Sequence, residues 1–258
     1  MNDTNTARFW ELRSKEYQSD PRGVLPKSYP QKLNDYLHSW MSETIQNHAP
    51  VGVTLDIGCG YGRLSQEILT FDDNNQTVGV DISETYVKLY NAALSPRGKA
   101  YVADMRALPL KNESVDTVVC VTSLMYLTNQ KDQKTAIAEF ARVLKPSGKL
   151  ILIERTPSGH SLVTLGGVVT LLRGRKKQEI AAVSFSHRDI IRLTSREFTQ
   201  PHAYGMPIFT VSFYLLFVLA KFAPFIANIA LNVIHLADRY LSRILTPSLY
   251  VAYSLNKK

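Results

Sequence analysis

From Val51 onward the chain alternates short β-forming runs with helix-length segments, and this restricts the fold more than any other feature. The runs "VTLDI", "QTVGVD", "KAYVAD", "SVDTVVCVTS" and "KLILIE" follow one another in that order. A helix is expected from about Arg63, a second capped by Ser83, and a third from about Asn129 to Leu144, with "KPSG" as the turn after it. Strands separated by helices require right-handed crossovers, so the sheet must be mostly parallel and covered on both faces. Beyond the fifth run, Ser186 to Asp189 ("SHRD") fits a capping box that opens a further helix. "REFTQPHAYGMPIF" holds a sixth strand with its loop, and "SLYVAYSLNKK" is rich enough in β-formers for a seventh.

Two polar-rich helices precede this pattern. One is expected near Thr4 to Tyr17. The other runs from about Ser28 to Asn47, with Leu33, Tyr36, Leu37 and Trp40 on one face. The 258 residues divide into an N-terminal helical cap over 1–50, a core over 51–207 and 246–258, and an apolar helical insertion over 208–245. Cys59 and Cys120 lie far apart in apolar stretches, which argues against a disulfide framework and for a reducing, cytoplasmic setting. The first residues, "MNDTNTARFWELRSKEY", have no apolar run of the signal-peptide kind.

The chemistry concentrates in "LDIGCGYGRLS". Gly58, Gly60 and Gly62 stand between a strand and a helix, where a tight turn needs positive φ and close backbone approach. In a doubly wound sheet this loop lies at the carboxyl end of the first strand, and the helix N-terminus behind it favours a negative group. A dinucleotide fingerprint would want glycine at position 63, which is Arg63 here. Asp56, Asp81 and Asp104 close three successive strands. A carboxylate in the second position can accept both hydrogen bonds of a ribose diol, and one in the third can accept from an adenine amino group.

As an ordered set, "LDIGCGYG", "VGVDIS", "VADM", "VDTVVCVTSLMYL" and "RVLKPSGKLIL" resemble the motifs of class I S-adenosylmethionine-dependent methyltransferases, nearest the quinone-biosynthesis and small-molecule group. The resemblance covers about Val51 to Glu154. It implies an α/β, doubly wound, Rossmann-like sheet of seven strands, the last antiparallel and inserted between the fifth and sixth. It further implies S-adenosylmethionine as cofactor. Asp56, Gly58, Cys59, Gly60 and Gly62 would surround its methionine part, with Cys59 a small packing residue. Asp81 would hold the ribose, Ile82 and Met105 would flank the adenine, and Asp104 would hold its amino group. Val121 to Ser123 would line the methyl side. The family often has His where Tyr126 stands.

Because a sulfonium is already an activated methyl donor, orientation and fixed electrostatics should supply most of the acceleration. A general base helps when the acceptor is a hydroxyl of high pKa. His160 and Tyr126 are the first candidates, with His187, His202 and Glu154 behind them. No His, Cys and Asp cluster has metal-ligand spacing, so no metal is expected.

"VSFYLLFVLAKFAPFIANIAL", Val211 to Leu231, is long enough to cross a bilayer, but a closing seventh strand would require the chain to return to the side it left. Two helices lying flat suit it better, the second opening at Pro224. In that second helix Asn228, Asn232, His235, Arg239 and Ser242 form one polar stripe, and Phe225, Ile226, Ile229, Val233, Leu236 and Leu241 form a wide apolar face. Phe213, Leu216 and Phe217 of the first helix are expected to join that face. A second apolar segment, Ser161 to Lys177, ends in Arg173, Arg175, Lys176 and Lys177.

The net charge of +8 suits an anionic membrane surface. The basic residues are not interleaved with aromatics and no binding module is appended, which argues against nucleic acid. The expected activity is therefore methyl transfer to a lipid or lipid-linked acceptor, by a cytoplasmic protein peripheral on the inner face of a membrane. The alternative is a soluble enzyme for a small metabolite, with the insertion as lid or dimer contact.

Overall fold

The structure is a computed structural model that describes residues 3–17, 29–49, 51–159 and 180–258. The basic segment Ser161 to Lys177 and the candidate His160 lie outside the described residues. Two helices open the chain, α1 (Asp3–Tyr17) and α2 (Gln31–His48). The alternating region then gives β1 (Val53–Ile57), α3 (Arg63–Phe71), β2 (Gln76–Asp81), α4 (Glu84–Leu94), β3 (Gly98–Val102), β4 (Val115–Val121), a 3-10 turn at Leu124–Tyr126, α5 (Gln130–Val143) and β5 (Leu144–Arg155). After them come α6 (His187–Thr194), β6 (His202–Tyr204), α7 (Pro207–Phe222), α8 (Pro224–Leu241) and β7 (Tyr250–Asn256).

All seven strands join one sheet in the order β3-β2-β1-β4-β5-β7-β6. The pairs among β1 to β5 are parallel, and β7 runs antiparallel between β5 and β6, as expected. The strand order reverses between β1 and β4, which makes their carboxyl ends the place where a crevice opens. Each buried strand feeds both faces. Val118, Cys120, Leu150 and Leu152 pack with Ile137 and Phe140 of α5, while Val119, Val121, Ile151 and Ile153 pack with Leu33, Leu37 and Met41 of α2 and Phe209 and Phe213 of α7. A strand covered on both sides reads as a continuous apolar run, which is why "TVVCV" and "LILI" lack alternation.

The local signals act as read. Ser83 accepts from the Tyr86 N–H to cap α4. Ser186 and Asp189 form the reciprocal capping box of α6. Pro224 occupies the first turn of α8. Two elements differ from expectation. The sixth strand shrinks to three residues because β6 is an edge strand paired to β7 alone. "KPSG" lies within β5: Ser147 takes φ 60 and the β4–β5 register shifts between Val115 and Thr117, so the turn survives as an irregularity inside the strand.

Helices α7 and α8 lie flat as a pair, and among the described residues no helix is long and apolar enough to cross a membrane. α8 buries a narrow edge, Ala227, Leu231 and Asp238, while its polar stripe runs along the solvent-accessible flank beside α2: Asn228 accepts from Lys32 of α2 at 2.7 Å, and His235 and Arg239 reach Glu43 of α2 at 3.2 and 3.0 Å. The apolar face points to solvent, with Phe225 76%, Val233 62% and Leu236 58% exposed. On α7 the outward residues are Val211, Leu215, Val218 and Phe222. Phe213 and Leu216 are instead buried in the core against α2 and the sheet, because α7 must cover that sheet face with one of its sides.

Asp238 of α8 clasps the pair. Its carboxylate accepts from the Ile208 and Phe209 N–H groups at 2.7 and 3.0 Å, satisfying donors at the start of α7 that the helix itself leaves unpaired. The residue is 3% exposed. Removing it strands two buried donors, so Asp238→Ala should destabilise the fold by about 2–4 kcal/mol in denaturant titration, with Asp238→Asn costing less. Equal stability of Asp238→Ala and the wild type would show that the clasp contributes nothing.

Candidate functional site

The site grows from the end of β1. Gly58, Gly60 and Gly62 all take left-handed φ values, 67, 54 and 92. A Cβ on Gly58 would lie 2.2 Å from Ser123 Oγ, and one on Gly62 2.7 Å from Leu94, whereas a Cβ on Gly60 would meet nothing within 4 Å. Gly58 is therefore pressed against the turn after β4, Gly62 against α4, and Gly60 borders open space where a ligand can approach the backbone. The Gly58 and Cys59 N–H groups both donate to the Val80 carbonyl, tying the loop to β2.

Asp81 is buried at the end of β2. Its two oxygens accept from the Gly60 and Ser83 N–H groups, each at 2.9 Å. A carboxylate oxygen can take two donors, so each retains one acceptor position. Burial pushes its pKa up, against the pull of the Ser83 and Gly60 bonds. Asp56 points into the protein: its carboxylate accepts from Ser65 Oγ at 2.8 Å, and burial raises it to about 6. Cys59 likewise packs inward, against Tyr90, Leu94 and Ala100, and burial drives its thiol well up. Only its backbone remains for the loop. Cys120 is also free and buried.

Ile82 and Met105 follow β2 and β3, half-buried, and Asp104 sits beside them. The Asp104 carboxylate is held by Arg106, whose Nε and Nη2 donate at 2.9 and 2.6 Å while Nη1 reaches Asp132. Burial acts to raise its pKa, but the Arg106 bonds prevail and hold it low. An adenine amino group would have to share that acceptor with a guanidinium. Tyr126 ends the turn after β4, its ring edge-on to Trp10 of α1 at 5.0 Å. Of the other base candidates, His202 is exposed on the edge strand, and His187 stacks on Tyr253 of β7 at 5.7 Å.

Three contributors were not singled out from the sequence. Glu11 of α1 accepts from Ser83 Oγ, Thr85 N and Thr85 Oγ1, which lays α1 over the start of α4 and holds the glutamate's pKa low. Arg63 is bonded to His38 of α2, whose other ring nitrogen meets Glu67 at 3.2 Å. Nothing local marks either long-range pair. The third is the structural role of Glu154 at the end of β5. One carboxyl oxygen accepts from the Ser123 and Leu124 N–H groups at 3.2 and 2.9 Å; the other is buried without a partner. Burial drives its pKa to about 8. Among the described residues, no group of His, Cys, Asp and Glu could hold a metal.

Residues 55–152 match the family model "Methyltransferase domain". The structure superposes on geranyl diphosphate C-methyltransferase from Streptomyces coelicolor, solved with geranyl diphosphate and S-adenosyl-L-homocysteine, with a TM-score of 0.66, 16% identity and coverage of 99% of this chain and 97% of that one. The chain has the class I methyltransferase fold. In sequence it is 31% identical to an uncharacterized methyltransferase of Schizosaccharomyces pombe over 48% of this chain and 45% of the relative. It is 34% identical to the ubiquinone/menaquinone biosynthesis C-methyltransferase of Saccharophagus degradans over 42% of this chain and 45% of that one. The chain thus spans about half the length of the curated relatives it matches. The residues around Gly60 fit S-adenosylmethionine: a left-handed loop open to a ligand backbone-first, a buried carboxylate with free acceptor positions and a helix N-terminus behind.

A buried carboxyl whose pKa lies above the ordinary 4.5 keeps its proton in the native state while the unfolded chain loses it, so Glu154 withdraws stability as pH rises from about 4.5 to about 8. Glu154→Gln cannot ionise. The stability of Glu154→Gln relative to wild type should therefore rise by a few kcal/mol between pH 5 and 8, at about 1.4 kcal/mol per pKa unit, in thermal or denaturant unfolding. Parallel curves across that window would show that Glu154 titrates normally.

Proposed function

We propose that this chain transfers a methyl group from S-adenosylmethionine to a small-molecule acceptor with an apolar tail, a lipid or lipid-linked compound, while docked on a membrane surface. The observation that carries the membrane part is the outward apolar face of α7 and α8, with Asn228, His235 and Arg239 of the polar stripe bonded to α2 beside it. A face this wide costs solubility unless something apolar meets it. It begins and ends at the reactive edge. β6 leads into α7 there, the Gly205 N–H donates back to Ser242 just past α8, and Tyr250 re-enters the sheet opposite Arg155. Lys221 of α7 and Arg243 just past α8 flank it along the chain, whose net charge of +8 favours an anionic surface. The fold neighbour solved with geranyl diphosphate and the relative in quinone biosynthesis support an apolar acceptor.

Bound S-adenosylmethionine supplies the activated methyl on its sulfonium. In this reading the residues of the chain bind and orient it. Gly58, Gly60 and Gly62 admit the methionine part, Asp81 holds the ribose diol, Ile82 and Met105 flank the adenine beside Asp104, and Val121 to Ser123 border the methyl group. Asp56 supports them indirectly by fixing α3 through Ser65. Trp10 orients the Tyr126 ring at the entrance, so Tyr126 serves better as a wall than as a base.

Asp81→Ala should lower affinity for S-adenosylmethionine at least tenfold in calorimetry, since each bond to a charged acceptor contributes roughly 1.5–3 kcal/mol. An unchanged affinity in a folded variant would remove the ribose assignment. For the membrane reading the probes are vesicles of neutral lipid and of neutral lipid with added anionic lipid. Binding should be stronger to the anionic vesicles and fall partly, not wholly, with salt. Replacing the exposed Leu215, Phe222 and Phe225 by Ser should cut the salt-resistant part by tenfold or more, at roughly 1.5–3 kcal/mol per buried side chain, and leave cofactor affinity intact. A wild-type protein that ignores both vesicles and runs as a dimer through this face would support the soluble reading instead.

A further inference from the structure

Glu154 is a third buried acid at the same edge, and nothing in the transfer of a methyl group to an acceptor accounts for how it is held. It closes β5 fully buried, 1% exposed. Its Oε1 accepts from Ser123 N and Leu124 N and lies 4.0 Å from the Cys120 thiol; its Oε2 is buried and unpartnered. The Met125 N–H adds a weaker pull, yet a carboxylate with one oxygen held by backbone donors and the other bare is poorly compensated as an anion. The groups facing it offer little counter-charge. On its own strand Arg155 pulls its pKa down weakly, behind burial and the backbone bonds. On β4 the Cys120 thiol is held neutral. From β7, Tyr250 and Tyr253 face it, both pushed up by burial and by the acid itself. Asp189 lies behind Tyr253 and Arg63 behind Tyr250.

The turn that Glu154 holds is the one pressed on Gly58, with Thr122 kept at φ 51 between them. A cation placed against that turn would supply the missing counter-charge. S-adenosylmethionine carries a sulfonium and its demethylated product, S-adenosylhomocysteine, does not. We propose that Glu154 senses the charge of the cofactor: it is protonated in the free protein and with the neutral product, and releases its proton to solvent when the sulfonium lies beside the Val121 to Ser123 turn. The proposal rests on the cofactor placement given above. Its consequence is selective: a tightened hold on the charged donor and a loosened hold on the spent product.

The test needs no acceptor. S-adenosylmethionine and S-adenosylhomocysteine are each titrated calorimetrically into wild type and Glu154→Gln, from pH 6 to 8.5, in buffers of different ionisation enthalpy. Gln keeps the acceptor for Ser123 and Leu124 and cannot ionise, and its unfolding curve shows that it is folded. Wild type should release about half a proton more than Glu154→Gln on binding S-adenosylmethionine near pH 7.5, and no more than it on binding the product. Its preference for donor over product should grow by about tenfold across the window, the size of one pKa unit of coupling, and stay flat in the variant. Equal proton release and equal preference in the two proteins would overturn charge sensing while leaving the cofactor site intact. Failure of the wild type to bind either compound would overturn the proposal together with the cofactor placement.

Discussion

The close approach of two turns governs this molecule: the loop after β1 and the turn after β4 touch at Gly58 and Ser123, where no side chain fits on residue 58. That contact exists because β1 and β4 are parallel neighbours in register, with Ile57 beside Cys120, and their following segments leave for opposite faces of the sheet. The crevice it creates has backbone, not side chains, for its floor. The surrounding polar groups are arranged to hold that floor still. Asp81 fixes the far side of the loop through Gly60, Glu154 fixes the turn through Ser123 and Leu124, and Asp56 fixes the helix behind through Ser65.

These three acids differ in how their burial is offset. Asp81 shares two backbone donors between two oxygens, and Asp56 has a hydroxyl and a nearby guanidinium. Glu154 gathers its backbone donors on one oxygen and leaves the other bare. Desolvation is the largest contributor at all three and lifts each of them, to about 6 at Asp56 and about 8 at Glu154. Asp104 is the contrast: half-buried and forked by Arg106, it is held low, so a strand-end acid in the same sheet can have either character depending on its nearest cation.

The sheet was legible in the sequence because its signals are local. Gly-rich turn, Ser83 cap, Ser186–Asp189 box and Pro224 each act within four residues, and the ordered motifs carried the strand order. The site was legible where a residue's place follows from its strand end, as for Gly58, Gly60 and Asp81. It was not legible where the partner is distant. Glu11 meets Thr85, Lys32 meets Asn228 and Asp238 meets Ile208 across sequence separations that no periodicity records. The side-chain direction of Asp56 and Cys59, both turned inward, was hidden for the same reason.

Periodicity shows that a helix has two faces but not which one meets the protein, and α8 makes that ambiguity physical. α8 buries only the narrow edge of Ala227, Leu231 and Asp238, and α2 presents Lys32 and Glu43 along its outer side to the polar stripe next to that edge. Once Asn228, His235 and Arg239 are committed to α2, Phe225, Ile229, Val233 and Leu236 have nowhere to go but outward. α7 resolves the same conflict differently. It gives Phe209, Phe213 and Leu216 to the sheet and keeps Leu215 and Phe222 exposed, so both helices offer apolar surface to the outside although only one was amphipathic by sequence. Large apolar side chains left in water forgo hydrophobic stabilisation of about 25 cal/mol per Å² of the exposed face, and that loss is recovered only when the face is covered.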